Sequence, residues 1–451
     1  MTYLLPLLMI VALMAGIFSG YSVAFLLGGL AVLFMLLGDI SMLSFSLVVN
    51  RIFGSVLENW ILAAIPLFVF MGIMLERSKI ADNLLLELEG LFRGRPGGLA
   101  LSVVAVGVVM AASTGIIGAS VVLMGTLALP LMLRRNYDKT LAVGTVLGSG
   151  VLGILLPPSI MLVVFGEVMR VPVGDLFVAA MVPSLLLASA YALYIIYTGV
   201  VRPEKVPANV SVVRQPMSAA AARVIKDLVV PAALICSVLV SIIVGVATPT
   251  EGAAIGATGA MLMALAKRKL NWKVLDQSLR STIGTTGMIL FLAIGATAYS
   301  LVFKKLGGQS MIEDIVASFG VSPYMVVFGI MLLIFVLGFF LEWIEISFLV
   351  LPLFTPIIAG LDFGDAFANQ GEVLLWFAVL VAVNLQTSFL TPPFGYAVFY
   401  LKGIAPPEIN TVDIYRGVAP IVSLQLVVLF ILALWPAVIL WLPRLFQGPW
   451  G

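Results

Sequence analysis

Long, nearly uncharged apolar runs dominate this sequence, and each must find either a bilayer or an unusually large core. They lie near 4–37, 60–76, 98–114, 140–165, 174–200, 228–247, 252–266, 282–303, 322–341, 373–402 and 417–442. A helix of roughly 20 apolar residues crosses a bilayer, so the runs predict about eleven spans. Within hydrocarbon every backbone polar group needs an internal partner, which restricts the chain to helices or a closed barrel, and runs of this length point to helices. The composition agrees: 62% of residues are hydrophobic and 10% charged, whereas soluble domains carry about 25% charged residues. A soluble enzyme, a disordered chain and a nucleic-acid binder are excluded. The predicted class is an all-α polytopic membrane protein embedded in lipid.

The polar inventory narrows the chemistry. There is no histidine, which removes His-ligated metals, Ser-His-Asp catalysis and imidazole proton relays. The single cysteine, Cys236, allows no internal disulfide or thiolate cluster and reads as a small buried or lipid-facing residue. With 24 Lys+Arg against 22 Asp+Glu, net charge says little about partners. Met1-Thr2-Tyr3 lacks a basic region and the apolar run continues to Leu37. The start of the chain therefore reads as a first membrane segment bent at Gly16–Gly20, not as a cleaved signal peptide.

Leu84–Arg95 and Leu270–Arg280 alternate apolar and charged residues at helical spacing and read as interfacial amphipathic helices. Arg202–Lys226, with Arg134, Arg135, Lys139 and Lys267–Lys269, supplies the basic loops expected on the cytoplasmic side. Two stretches are unlike ordinary spans. Residues 111–132 carry small and polar residues and Pro130, while 339–358 carry Glu342, Glu345, Pro352 and Pro356 in an apolar frame. Each reads as a re-entrant helical hairpin, because irregular backbone at membrane depth survives only where protein or water covers it.

The two stretches resemble each other. Leu127–Met132 recurs as Leu349–Phe354, and Leu156-Pro157-Pro158 as Thr391-Pro392-Pro393. This predicts an internal repeat, read as inverted. Its first copy spans 1–200, with a hairpin near 111–132 and a broken helix near 140–165. A cytoplasmic loop over 201–226 follows. The second copy spans 227–451, with a hairpin near 339–358 and a broken helix near 373–402. Interrupted segments at matching places in two halves point to a transporter binding site. One conflict stands: counting basic loops opens both hairpins on the same face, whereas inverted repeats require opposite faces. Either one of 228–247 and 252–266 does not cross, or a basic loop lies outside.

Four stretches carry candidate chemistry. Ser113-Thr114-Gly115…Ser120 offers hydroxyls and freed carbonyls for a hard cation, or close packing of helices through small residues. Gly148–Ser159 is interrupted by three glycines and by Pro157-Pro158, which frees carbonyls or merely kinks a helix. Asn384–Pro393 concentrates Asn384, Gln386, Thr387, Ser388 and Thr391, groups too costly to expose to lipid. Glu342 and Glu345, three apart on one helix face, could hold a cation, a proton or a base, or sit in interfacial water. Glu251 reads as a helix cap, and Glu167 with Arg170 as an exposed pair. No Arg lies in either hairpin, so an anionic substrate would rest on N–H groups.

Taken in order, Ala64–Phe68, Gly97-Gly98-Leu99, Ser113…Ser120, Pro157-Pro158-Ser159, Thr248–Ala254 and Thr391–Gly395 resemble the large permease subunit of tripartite ATP-independent periplasmic (TRAP) transporters, the DctM-like family. Gly338–Ile346 is most similar to the branch labelled mannitol/chloroaromatic. The resemblance covers nearly the whole chain. It implies a non-enzymatic, Na⁺-coupled symporter of the elevator type in the bacterial inner membrane. A periplasmic binding protein would deliver an organic acid, and a small four-helix membrane subunit would complete the assembly. It further implies one Na⁺ site at Ser113, Gly153, Leu156 and Pro158 and a second at Thr391, Ser388 and Pro393. Ser120, Ser149, Ser159, Glu342, Glu345, Asn384 and Gln386 remain as candidate substrate contacts. The family often has Asp where this chain has Glu342. The alternative is a stand-alone cation-coupled anion transporter of a related elevator fold.

Overall fold

The computed structural model describes residues 3–78, 80–92, 95–114, 117–207, 217–318, 320–393 and 395–446. Among the described residues every regular element is helical. The first apolar run, expected as one bent span, forms two helices, α1 (Leu4–Phe18) and α2 (Val23–Leu37). Gly20 turns the chain with φ +81°, and Gly16 then meets Leu26 so closely that a Cβ would come within 2.7 Å of it. Next come α3 (Met42–Ile52), α4 (Ala64–Arg77) and α5 (Ile80–Leu91), the last being the amphipathic helix expected over 84–95.

The core of the first half follows: α6 (Gly98–Thr114), α7 (Ile117–Arg134), α8 (Lys139–Val151), α9 (Ile160–Met169) and α10 (Val173–Val201). Three helices lead into the second half: α11 (Met217–Ile243), α12 (Pro249–Ala266) and α13 (Trp272–Lys305). The chain is helical from Met217, so part of the expected 201–226 loop belongs to α11. The amphipathic stretch at 270–280 is not a separate helix; it opens α13, a continuous helix of 34 residues. Glu251 caps α12, its carboxylate accepting from the Thr248 N–H while Thr248 Oγ1 accepts from the Glu251 N–H.

Then come α14 (Gly308–Ser318), α15 (Pro323–Leu337), α16 (Trp343–Leu349), α17 (Leu351–Ala359), α18 (Gln370–Leu390), α19 (Tyr396–Ile404), α20 (Thr411–Leu434) and α21 (Ala437–Phe446). Among the described residues five helices (α7, α10, α13, α18 and α20) are long and apolar enough to cross a bilayer singly. Helix α18 is central: its side chains from Leu375 to Leu390 are all buried. By contrast α20 leaves Leu426, Val427, Phe430 and Leu434 on the outside, a face suited to lipid.

The same succession occurs twice. A helical arm, a turn, a returning arm, a proline-broken helix and a long helix run from α6 to α10 and again from α15 to α20. The hairpin turns fall between α6 and α7 and between α15 and α16. The helices 98–114 and 323–337, counted as spans from hydropathy, are therefore first arms. Contacts pair up in the same way. Helix α4 packs on α12 and α2 on α13; α8 packs on α20 and α10 on α18.

The halves run in opposite directions. Gly144 faces Gly417 and Gly148 faces Ile421, so α8 and α20 are parallel. Trp376 Nε1 donates to the Leu432 carbonyl and Tyr415 Oη to the Pro393 carbonyl, so α18 and α20 are antiparallel. Hence α8 and α18, equivalent in the two copies, point opposite ways. Once 323–337 is taken as an arm, the hairpins open on opposite faces and the conflict from the basic loops disappears.

Candidate functional site

The first break begins where α8 tightens into a single 3₁₀ turn at Leu152–Ile154. Pro157 stands where the donor for the Gly153 carbonyl would be, so that oxygen has no helical partner. Gly153 and Pro158 are buried and Leu156 is half-buried. Ser159 Oγ donates to the Ile154 carbonyl and Ser149 Oγ to the Val146 carbonyl. Ser149 also presses on Gly107 of α6, where a Cβ would lie 2.5 Å from its own. Ser120 is buried in the first turn of α7. The side chain of Ser113 and the turn residues Gly115 and Ile116 lie outside the described residues.

The second break mirrors the first, and both Pro–Pro bonds, Pro157–Pro158 and Pro392–Pro393, are cis. Pro392 and Pro393 withhold the donors for the Ser388 and Phe389 carbonyls. Thr391 partly repairs the loss: its N–H bonds the Ser388 carbonyl at 3.1 Å and its hydroxyl the Thr387 carbonyl at 2.7 Å. Gly395, at φ +53°, lies against the Phe389 and Thr391 carbonyls, where a Cβ would come within 2.9 and 3.2 Å of them. The Pro393 carbonyl accepts from Tyr415 Oη at 3.1 Å. The Phe389 carbonyl and Tyr415 join this break without being singled out by the sequence reading, and Gly395 entered that reading only as the last residue of the Thr391–Gly395 motif. Only the proline spacing could have flagged Phe389.

Helix α18 ties the break to the hairpin arm beside it. Asn384 Nδ2 donates to the Met331 carbonyl of α15 at 2.7 Å. Ser388 lies on Gly338, just past the end of α15, where a Cβ would come within 2.2 Å of its hydroxyl. That hydroxyl donates to the Leu385 carbonyl at 2.9 Å. Gln386 lies on the opposite side of α18 from Asn384, is wholly buried, and neither amide atom has a partner in the protein.

Glu342 is not on a helix face with Glu345, as its spacing predicts. It precedes α16 as the N-cap, and the two form a reciprocal box in which the Glu342 N–H donates to Glu345 Oε2 at 2.5 Å. Both are half-buried. Tyr400 Oη donates to Glu342 Oε1 at 3.4 Å. A cavity of about 440 Å³ lies beside this turn, lined by Ile17, Phe18, Phe339, Phe340, Tyr396, Phe399 and Tyr400. The aromatic lining and Tyr400 carry no spacing signal and were missed. Elsewhere, no ion pair joins Glu167 to Arg170, which turns left-handed at φ 57° to end α9. Cys236 is exposed.

The donor set is carbonyl and hydroxyl oxygen. Among the described residues no group of three or more His, Cys, Asp or Glu could hold a metal. A hydroxyl that donates to a carbonyl still presents its lone pairs. Thr391, Ser388 and the freed carbonyls are the oxygen donors that hard cations take, and not those of zinc or iron sites.

Comparison with known proteins agrees with the helical order. The chain is 29% identical to the C4-dicarboxylate TRAP transporter large permease protein DctM of Pseudomonas aeruginosa, over 86% of this chain and 87% of that protein. It is 24% identical to the sialic acid TRAP transporter large permease protein SiaM of Vibrio cholerae, over 96% and 97%. Its fold matches the crystal structure of the Alcanivorax borkumensis YdaH transporter with a TM-score of 0.60 at 15% identity, covering 87% of this chain and 88% of that one. The model of the tripartite ATP-independent periplasmic transporter, DctM component, matches residues 10–438. The chain therefore belongs to the DctM family, as a large permease of TRAP transporters and not an enzyme.

Proposed function

We propose that this permease imports an organic acid into a bacterium across the inner membrane, driven by Na⁺, with its substrate handed over by a periplasmic binding protein. A small four-helix membrane subunit completes the fixed scaffold. The two hairpins and two broken helices move together as the carrier. One observation supports this reading above the others: hairpin, turn and proline-broken helix occur twice in opposite orientation. Each break frees carbonyls beside buried hydroxyls, and unwound backbone of that kind is where transporters hold coupling ions.

In this reading Gly153, Leu156 and Pro158, with Ser113, hold one Na⁺, and Thr391, Ser388 and Pro393 hold the second. At both breaks hydroxyls already brace neighbouring carbonyls, Ser159 on Ile154 in the first and Ser388 and Thr391 on Leu385 and Thr387 in the second. Binding thus needs little reordering of the backbone, and the work of the ion is to fix the hairpin turns. In the same reading Ser120, Ser149, Ser159, Glu342, Glu345, Asn384 and Gln386 are the candidate substrate contacts. No arginine lies within 98–133 or 323–359, and Arg134 stands at the end of α7 away from the turn, so an acid is held there by N–H groups, hydroxyls and the ion itself. The relatives named above carry a C4-dicarboxylate and a sialic acid, and an acid group is the feature these substrates share.

Reconstitution tests the scheme. Uptake in proteoliposomes containing the permease, its small subunit and its binding protein is expected to collapse without an inward Na⁺ gradient or without the binding protein. Uptake indifferent to both overturns the coupling. Robust uptake by the permease alone would instead favour the stand-alone transporter.

A further inference from the structure

We infer that Tyr400 is the positioning residue through which the returning arms of the two hairpins act on one another. The inference rests on the reading of the two hairpins as parts of one moving carrier. Tyr400 belongs to α19, beyond the second break, and α19 packs against α7, the returning arm of the other hairpin. The end of its ring lies on Gly118, in the first turn of α7. A Cβ there would meet Cζ at 2.8 Å and the two ring carbons beside it at 3.0 and 3.1 Å. Its hydroxyl donates to Glu342 Oε1, the N-cap of the second hairpin's returning helix.

One side chain thus touches the start of both returning arms. Its two contacts lie at the same end of the ring. Movement of Gly118 therefore displaces the hydroxyl that Glu342 receives. Glu342 in turn is locked to Glu345 by their reciprocal cap, so a shift in its carboxylate is felt by the whole first turn of α16. Leu401 and Ile404 repeat the contact lower down, both meeting Gly125 of α7. They carry no polar group and cannot address Glu342, which leaves Tyr400 as the link.

The test uses the purified full-length chain with Cys236→Ser and a Phe339→Cys reporter at the second turn, labelled with a maleimide in micelles without ligand. Gly118→Ala is expected to change the labelling rate about threefold or more, the scale of coupling between groups in direct contact. Tyr400→Ala added to it is expected to erase that change. Tyr400→Phe, which keeps the ring on Gly118 but lacks the hydroxyl, is expected to erase it too. A Gly118→Ala effect that survives both Tyr400 changes overturns the inference, as does a folded, monodisperse Gly118→Ala protein with an unaltered rate. Should Gly118→Ala not fold, Tyr400→Phe alone is expected to speed labelling at Phe339→Cys by about threefold, and an unchanged rate overturns the inference. Labelling of the parent that ignores a change from K⁺ to Na⁺ counts against Na⁺ coupling only, since the cycle needs no ion.

Discussion

Asn384 and Met331 join the central broken helix to the hairpin beside it: the buried Asn384 amide donates to the Met331 carbonyl at 2.7 Å. Hydrogen bonds between membrane helices average about 0.6 kcal/mol and reach about 1.7. Asn384→Ala is therefore expected to cost about 0.5–2 kcal/mol in thermal or detergent unfolding. Asn384→Asp should cost more, because an ionised carboxylate offers only acceptors to a carbonyl oxygen. An aspartate variant as stable as the wild type would refute this account of the pair.

Gly338 leaves no room for a side chain, since its Cβ would stand 2.2 Å from Ser388 Oγ and 2.8 Å from Ser388 Cβ. Gly338→Ala must push the second turn off α18. Uptake is expected to fall about tenfold or more while the protein still folds, with partial recovery in the Gly338→Ala, Ser388→Gly double variant. Simple additivity of the two changes would show that they do not share this contact.

Glycines in this chain are not equivalent, and stability measurements should sort them. A Cβ on Gly144 would lie 2.3 Å from the Gly417 carbonyl oxygen, which is backbone and cannot step aside. Gly144→Ala is expected to destabilise by about 1–3 kcal/mol through overpacking. Gly284, exposed on α13 with nothing within 4 Å, should tolerate Ala or gain up to about 1 kcal/mol from helix propensity. Melting curves of the two variants decide this.

Thr391→Val keeps the shape of the second break but removes its oxygen, whereas Thr391→Ser keeps the oxygen. On the proposed Na⁺ site, the valine variant is expected to need about tenfold more Na⁺ for half-maximal uptake, the loss of roughly 1.4 kcal/mol of binding. The serine variant should stay near wild type. Equal Na⁺ dependence in both would remove Thr391 from the site.

Asp138 supplies an acid-sensitive anchor outside the membrane. Burial pushes its carboxyl up. The Thr140 hydroxyl, the Leu141 N–H and the Lys205 ammonium outweigh that and hold it below the usual carboxylate range. A carboxylate depressed in the folded state contributes stability above its unfolded pKa of about 3.9 and loses it as pH falls through the folded value. Asp138→Asn should therefore lower the melting temperature at pH 7 and narrow its gap to wild type below about pH 4. A gap independent of pH would assign the effect to packing.

Much of this architecture is legible in the sequence because proline and hydropathy leave marks that tertiary packing does not erase. Pro157-Pro158 and Pro392-Pro393 locate both breaks, and Thr248 with Glu251 announces a helix start. Hydropathy fails where a helix is apolar for another reason. Residues 98–114 and 322–341 read as spans because hairpin arms buried in protein need the same apolar faces as helices in lipid. The bend expected at Gly16–Gly20 is a full reversal, since only packing of Gly16 on Leu26 distinguishes the two. Glu342 and Glu345 look like a helical face until the backbone shows that Glu342 stands before the helix. Tyr400 is invisible in the sequence because its meaning lies in Gly118, in the other half of the chain.

The cross-packing of the halves has a consequence for how the chain is made. Helix α19 covers the first hairpin and α9 packs on the second, so neither copy holds its own lid. During synthesis the returning arm α7 must wait without α19 until almost the entire polypeptide has left the ribosome. A truncated product therefore has no half to fall back on: it is a substrate for quality control, not a smaller transporter.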